Sequence, residues 1–241
     1  MNINVLLLCF NESALLPHVV KHYKKYLPSC KITILDNESI DNSVKIATDL
    51  GCHVTSWNSN NINDESLKIS IRNNIWKNIT DGWIIMADMD EFVCVTEDDL
   101  RKEMNAGVSI LKIKGYDMIG ESETLDLSDI DLQEIKKCIE NDNETKHLCF
   151  LREAITDMNY GPGSHWCEPA GNVVYSSTAY INKHMSTLGL TFLTNKLTER
   201  YKRSAVNREK GWSIHYTQDI YEIKKRYGDQ MNRCQLMSSS P

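Results

Sequence analysis

The chain has 241 residues, an ordinary apolar fraction and a quarter of its residues charged, which is the composition of a globular protein able to bury a full core and excludes intrinsic disorder. Its formal net charge is −6, and no Lys/Arg block is interleaved with aromatics, so nucleic acid is not expected as a partner. No apolar run is long enough to span a bilayer, and the run at 5–10 is too short, and lacks a preceding basic residue, to be a signal-peptide core. Eight scattered cysteines include no Cys-x-x-Cys pair, so they are expected to be buried free thiols and not zinc ligands. Asn11, Asn37, Asn78 and Asn143 each open an Asn-x-Ser/Thr triplet, and two of these fall in loops assigned below to the site, where a glycan would block it. A reducing, cytoplasmic setting is therefore expected.

In chain order, residues 3–9 form a continuous apolar run, the pattern of a strand covered on both faces. Asn11 or Ser13 can cap a following helix that reaches Tyr26, with Pro17 tolerated in its first turn. A second strand over 31–35 stops at the turn-rich stretch Asp36-Asn37-Glu38-Ser39. A helix over 41–50 ends at Gly51, and a third strand covers 52–57. A polar loop, a helix over 65–78 and a fourth strand over 83–87 follow. Strand and helix alternate throughout this half, which predicts βαβ units and a parallel, doubly wound sheet. Beyond it the spacing predicts a helix over 97–105, a strand over 108–116, a helix over 128–141 and a strand over 146–151. A Gly/Pro-rich loop at 159–172, a strand over 173–181 and helices over 190–208 and 218–227 complete the chain, and the 238–241 end is expected to fray. The whole is read as one domain, 1–241, with a nucleotide-binding half over 1–95 and an acceptor-side half over 96–241.

Ligands of such sheets sit beyond the carboxyl ends of the strands. Three polar loops should open there together: Asn11-Glu12, Asp36 to Ser39, and Asp88-Met89-Asp90-Glu91. The last is the strongest local feature. An apolar strand runs into two carboxylates at i and i+2, which on an extended chain point to one side and can approach one divalent cation. Hard oxygen ligands suit Mg2+ or Mn2+, ions commonly shared with phosphates. Taken alone, the same string is equally an acidic turn after a buried strand. The Asp36 loop can likewise accept hydrogen bonds from a nucleobase or serve as an Asx-turn and helix cap, and Arg72 can meet a phosphate or remain a solvated helix charge.

The order strand, Asn-Glu-Ser, helix, strand, DNESIDNS, helix, strand, IRNNIWK helix, strand and DMDEF resembles family-2-type glycosyltransferases of GT-A fold. The resemblance continues through NYGPGSHWCEPAG at 159–171, HMSTLG at 184–189 and GWSIHY at 211–216, and so covers nearly the whole chain. HMSTLG lacks the tyrosine and lysine of the family's HYKYLG, and Asn37-Glu38 replaces a commoner acidic-glycine pair. The resemblance implies an α/β, nucleotide-diphospho-sugar transferase fold with a mostly parallel central sheet flanked by helices. It implies Asn11 and Glu12 lining the nucleotide pocket, Asp36 on the base and Arg72 near the nucleotide or diphosphate. Asp88 would lie by ribose and metal, Asp90 would bind the metal, and His184, after the late strand, would be a third metal ligand.

The expected activity is metal-dependent hexosyl transfer, with Mn2+ or Mg2+, from a nucleotide-diphosphate sugar, UDP-sugar favoured, to a glycan or other hydroxyl acceptor. His165, Asp157 and Glu168 are candidate general bases, His165 first because the resembling loop carries a histidine there; a positioning role for it is equally compatible. Two other classes compete: a non-catalytic nucleotide-sugar binder, and an Asp-x-Asp phosphatase, whose motif would sit on the first strand and not the fourth.

Overall fold

In the computed structural model, which describes residues 1–237, the chain opens with β1 (Ile3–Cys9), α1 (Leu16–Tyr26), β2 (Lys31–Asp36), α2 (Ser43–Asp49), β3 (His53–Ser56), α3 (Glu65–Asn74) and β4 (Trp83–Asp88). A turn of two residues leads into β5 (Glu91–Cys94). Next come α4 (Glu97–Asn105), β6 (Ile110–Ile119), β7 (Lys137–Glu140), β8 (Cys149–Leu151), β9 (Ile155–Asp157), β10 (Ala170–Gly171) and β11 (Tyr175–Thr187). The chain finishes with α5 (Leu190–Arg203), α6 (Ala205–Glu209), α7 (Ile220–Arg233) and β12 (Gln235–Leu236). The 238–241 end, expected to fray, lies outside the described residues.

The fold is α/β with a central sheet flanked by helices. Strands β3, β2, β1 and β4 are mutually parallel in that spatial order, so their carboxyl ends share one edge. Beyond β4 the sheet continues through β8, β6, β7 and β12 with antiparallel pairings. Strand β11 runs parallel to β6 and antiparallel to β5, which places the end of β5 beside the middle of β11.

Two-sided burial accounts for the apolar runs of β1 and β4. Ile3, Val5, Leu7, Trp83, Ile85 and Ala87 enter one core with α1, while Leu6, Leu8, Ile84 and Met86 enter a second core that contains Trp76 and Phe150. A third cluster is small: Leu193, Leu197 and Ile223 join α5 to α7.

Several expectations are corrected. Residues 128–141 do not form a helix; they hold a single 3-10 turn, Leu132–Glu134, and the short strand β7. Their polarity reflects exposed loop positions, not a solvated helix face. The 65–78 helix tightens to 3-10 geometry at Ile75–Asn78, and the 190–208 helix breaks at Ser204 into α5 and α6. Neither Asn11 nor Ser13 caps α1. Leu15 occupies the cap position, while Asn11 is left-handed, with φ of 52°, and its Oδ1 accepts the Ile40 amide. Strand β11 runs six residues past the expected end at 181, so His184 lies within it and not after it. Part of the 159–172 loop pairs as the β9–β10 ribbon. All eight cysteines are free, and no described helix is long and apolar enough to cross a membrane.

Candidate functional site

The loops after β1 and β2 are laced together at the carboxyl edge of the sheet. The Asn11 amide donates to Ser39 Oγ at 2.8 Å, the Glu12 amide to Ser43 Oγ at 2.9 Å and the Ser13 amide to Asp41 Oδ2 at 3.1 Å. Asp36 is buried at the end of β2. Its Oδ2 accepts the Ser39 amide at 3.0 Å, while its Oδ1 is buried without a partner among the described residues. Beside these loops lies a groove of about 390 Å³ lined by Phe10, Asn11, Ile40, Ile62, Arg203 and Val206. The Arg203 guanidinium lies over the Phe10 ring, 3.2 Å from its centroid.

Asp88 and Asp90 emerge from β4 in a tight turn, not on an extended chain, so their proximity comes from the turn. Asp88 keeps 30% of its side chain exposed and is gripped by Arg72 Nη2 at 2.7 Å. Arg72 itself is buried and also donates to Glu65 Oε1 at 3.0 Å. Glu65 Oε1 in turn accepts the Gly163 amide at 2.7 Å, which ties the late loop to this network. Burial alone would raise the Asp88 pKa, but Arg72 and Lys146 outweigh it and hold that carboxyl below its usual range. Glu12 senses the same turn: burial and then the Asp90 charge push its carboxyl up to about 7.

Asp90 is only 2% exposed. Its Oδ2 is the meeting point of three groups: Lys196 Nζ in an ion pair, His184 Nε2 at 3.4 Å and Arg200 Nη2 at 3.5 Å. Burial opposes its charge, and Lys196 and then His184 reverse the balance, holding the carboxyl well below the usual range. The opposite nitrogen of His184, Nδ1, faces Asp117 Oδ1 at 2.7 Å and Glu144 Oε1 at 3.5 Å. Burial opposes protonation of His184, yet Glu144, Asp90 and Asp117 together push it up to about 10.

Behind the turn, Lys146 Nζ joins Glu91 at 2.6 Å and Glu144 at 2.9 Å, all three buried. Glu91 Oε2 accepts the Asp88 amide at 2.8 Å, so this ionic chain fixes the geometry of the acidic turn from below. Gly115 of β6 permits the approach of Glu144, because a Cβ there would lie 2.2 Å from the Glu144 backbone carbon.

The donor set suits a divalent cation. An octahedral ion with bonds of about 2.1 Å sets adjacent ligand atoms about 3 Å apart, and Asp90 Oδ2 and His184 Nε2 stand at 3.4 Å. Ligand atoms of Asp117, Glu144 and His184 also lie within 4.8 Å of one another. The Asp117–His184 separation of 2.7 Å is a hydrogen bond, so Asp117 orients the imidazole and turns Nε2 toward Asp90.

The structure does not bring every expected group together. Asp157 is held by Lys77 at 2.6 Å and by the Asn159 amide, partners that belong to neither the acidic turn nor the His184 cluster. His165 is exposed, with Nδ1 at 2.6 Å from the Asn143 carbonyl, next to Glu144. Glu168 is exposed, and its carbonyl accepts from Asn159. Sequence reasoning passed over Lys196, Arg200, Glu91, Lys146, Asp117 and Glu144. Of these only Glu91, inside the DMDEF string, carried a local signal.

No family model matches the chain. Over 55 residues, 23% of its length, it is 34% identical to the protein RfbJ of Shigella flexneri, and the matched stretch spans 43% of RfbJ. Similar solved structures include TarS of S. aureus in complex with UDP, at 11% identity and a TM-score of 0.49, covering 97% of this chain and 71% of that one. They also include glucosyl-3-phosphoglycerate synthase of Mycobacterium tuberculosis in complex with Mn2+, UDP and glucosyl-3-phosphoglycerate, at 18% identity and a TM-score of 0.33, covering 47% of this chain and 44% of that one. Against another TarS structure the chain spans 43% of the neighbour's length.

Proposed function

We propose that this chain is a metal-dependent glycosyltransferase that moves a hexosyl group from a nucleotide-diphosphate sugar, UDP-sugar favoured, to a hydroxyl of a glycan or other acceptor. The observation that carries the reading is the convergence, at the carboxyl edge of a parallel sheet, of an unsatisfied buried Asp36 oxygen, a partly exposed Asp88 and an Asp90–His184 pair spaced for one cation.

In this reading Asp36 Oδ1 accepts an N–H of the base, and Asn11 and Glu12 line the nucleotide pocket next to the Phe10–Arg203 stack. Asp90, and His184 once its Nε2 proton is released, would hold Mn2+ or Mg2+, with Asp88 as a further oxygen ligand and ribose neighbour. When bound, the ion neutralises charge on the departing diphosphate. Arg72 keeps Asp88 ionised and fixed in place. Transfer forms a bond from the acceptor oxygen to the anomeric carbon and breaks the anomeric carbon–phosphate oxygen bond. The acceptor proton goes to a base at the mouth. His165 is the first candidate, because it is exposed and its loop is tied to Glu65 through Gly163. Asp157, paired with Lys77, is the second.

Slow hydrolysis of donor sugars tests the proposal. A panel of nucleotide sugars incubated with and without Mn2+ should yield one that is hydrolysed only with the ion, and Asp90→Ala should abolish that turnover while leaving the circular dichroism spectrum intact. Full activity in Asp90→Ala would refute the scheme, and donor binding without any turnover would make the chain a nucleotide-sugar binder.

A further inference from the structure

Lys196 and Arg200 stand at i and i+4 on α5, so both reach out from one face of the helix. Their charged ends meet at a single atom, Asp90 Oδ2. Arg200 is braced from the other side by Tyr216 Oη, 3.2 Å from its Nη1. Lys196 has 10% of its side chain exposed, so its ammonium is drawn out of water onto this carboxylate. The helix that carries both packs on α7 through Leu193, Leu197 and Ile223 and on the main core through Phe192.

An ammonium and a divalent cation compete for one carboxylate oxygen, because like charges drawn to the same atom repel in a partly desolvated setting. A cation entering between Asp90 and His184 therefore drives Lys196 off Asp90. The displaced ammonium, and Arg200 beside it, then face the space just beyond the metal, where the cation's anionic cargo would lie.

We infer, resting on the donor reading above, that Lys196 and Arg200 form a cationic clamp for the donor's diphosphate and that Asp90 is exchanged between Lys196 and the metal ion, so that cation and diphosphate bind as a coupled pair. Removal of the Lys196 charge then has opposite effects on the two ligands. Cation binding by itself tightens, because the competitor for Asp90 is gone. Diphosphate binding weakens, because half of the clamp is gone. Linkage requires the coupling to be reciprocal, and couplings of this kind are roughly 5- to 150-fold.

The test is Mn2+ binding followed by electron paramagnetic resonance, and UDP binding by calorimetry at saturating Mn2+, in the intact chain and in Lys196→Gln, Lys196→Arg and Arg200→Gln. Lys196→Gln is expected to bind Mn2+ alone about tenfold more tightly than the parent and UDP at least about fivefold more weakly. Lys196→Arg, which keeps the charge, should restore both values toward those of the parent. Arg200→Gln gives a second reading should Lys196→Gln fold poorly, and it should weaken UDP binding in the same range. Unchanged or weaker Mn2+ binding in Lys196→Gln, or unchanged UDP binding in Arg200→Gln, overturns the clamp while leaving the donor reading in place. If the parent protein binds no UDP with Mn2+ present, both fall together.

Discussion

With 3% of its side chain exposed, Arg72 spans two carboxylates, Glu65 at 3.0 Å and Asp88 at 2.7 Å. A buried pair that loses one partner leaves an uncompensated charge, at a cost of roughly 3–5 kcal/mol. Arg72→Ala is therefore expected to lower unfolding free energy by about that amount in chemical denaturation. Arg72→Lys should recover only part of it, since one ammonium cannot reproduce the two-armed grip. Equal stability in Arg72→Ala would show that the Glu65–Arg72–Asp88 chain is not a structural pin. Asp117 acts one step further out. Its hydrogen bond at 2.7 Å fixes the ring of His184, and loss of such an outer partner typically costs 10–100-fold in metal affinity. Asp117→Asn should weaken Mn2+ binding within that range while the thermal midpoint stays near that of the parent; unaltered Mn2+ affinity would remove Asp117 from the metal's support. Asp88 and Asp90 were legible in the sequence because an apolar strand running into acid is a local pattern. Lys196 was not, because it meets Asp90 across 106 residues, and nothing in the surrounding helix distinguishes it from a solvated lysine.

Among the elements, β6 and β11 carry the outer half of the site. β11 delivers His184 beside Glu91 of β5 and Asp117 of β6, so three strands must hold register for the cluster to exist. Gly115 sets the spacing where β6 meets the Glu144 backbone. Gly115→Ala would overpack this contact, at about 1–3 kcal/mol, and should lower the denaturation midpoint while displacing Glu144 from His184. An unshifted midpoint would show that the neighbouring 3-10 turn, Asp142–Glu144, yields freely. The elements read correctly from sequence include those with strong periodicity or two-sided burial, β1, β2, β4 and α1, and also α4. The misread strands are β7 and β11, neither of which alternates apolar with polar residues along its length. β7 has four residues and one fully buried side chain, Cys138, so no alternation identifies it against its polar neighbours. β11 was cut short because its second half, INKHMST, holds only two apolar residues, although its polar Asn182 and Thr187 are inaccessible to solvent.

At the scale of the whole molecule, the parallel half was legible because its strands need covering on both faces, and βα alternation then leaves few topologies. Its consequence, three loops opening on one edge, followed from topology alone. The mixed half was less legible because its strands pair across long separations and its ionic contacts follow tertiary structure, not sequence spacing. Acidic groups gather at the turn, and three of them are answered: Asp88 by Arg72, Asp90 by Lys196, Arg200 and His184, Glu91 by Lys146. Arg72 and Lys146 hold Asp88, and Lys196 and His184 hold Asp90, below the usual carboxylate range, and ionised oxygens side by side are the condition for the proposed cation site. Calorimetric titration of UDP into the protein, with Mn2+ and with a chelator, tests that condition most directly when repeated in Asp90→Ala. Saturable UDP binding that needs Mn2+ and disappears in the folded Asp90→Ala variant is the expected result. Binding of equal strength without the ion, or undiminished in the variant, would contradict it.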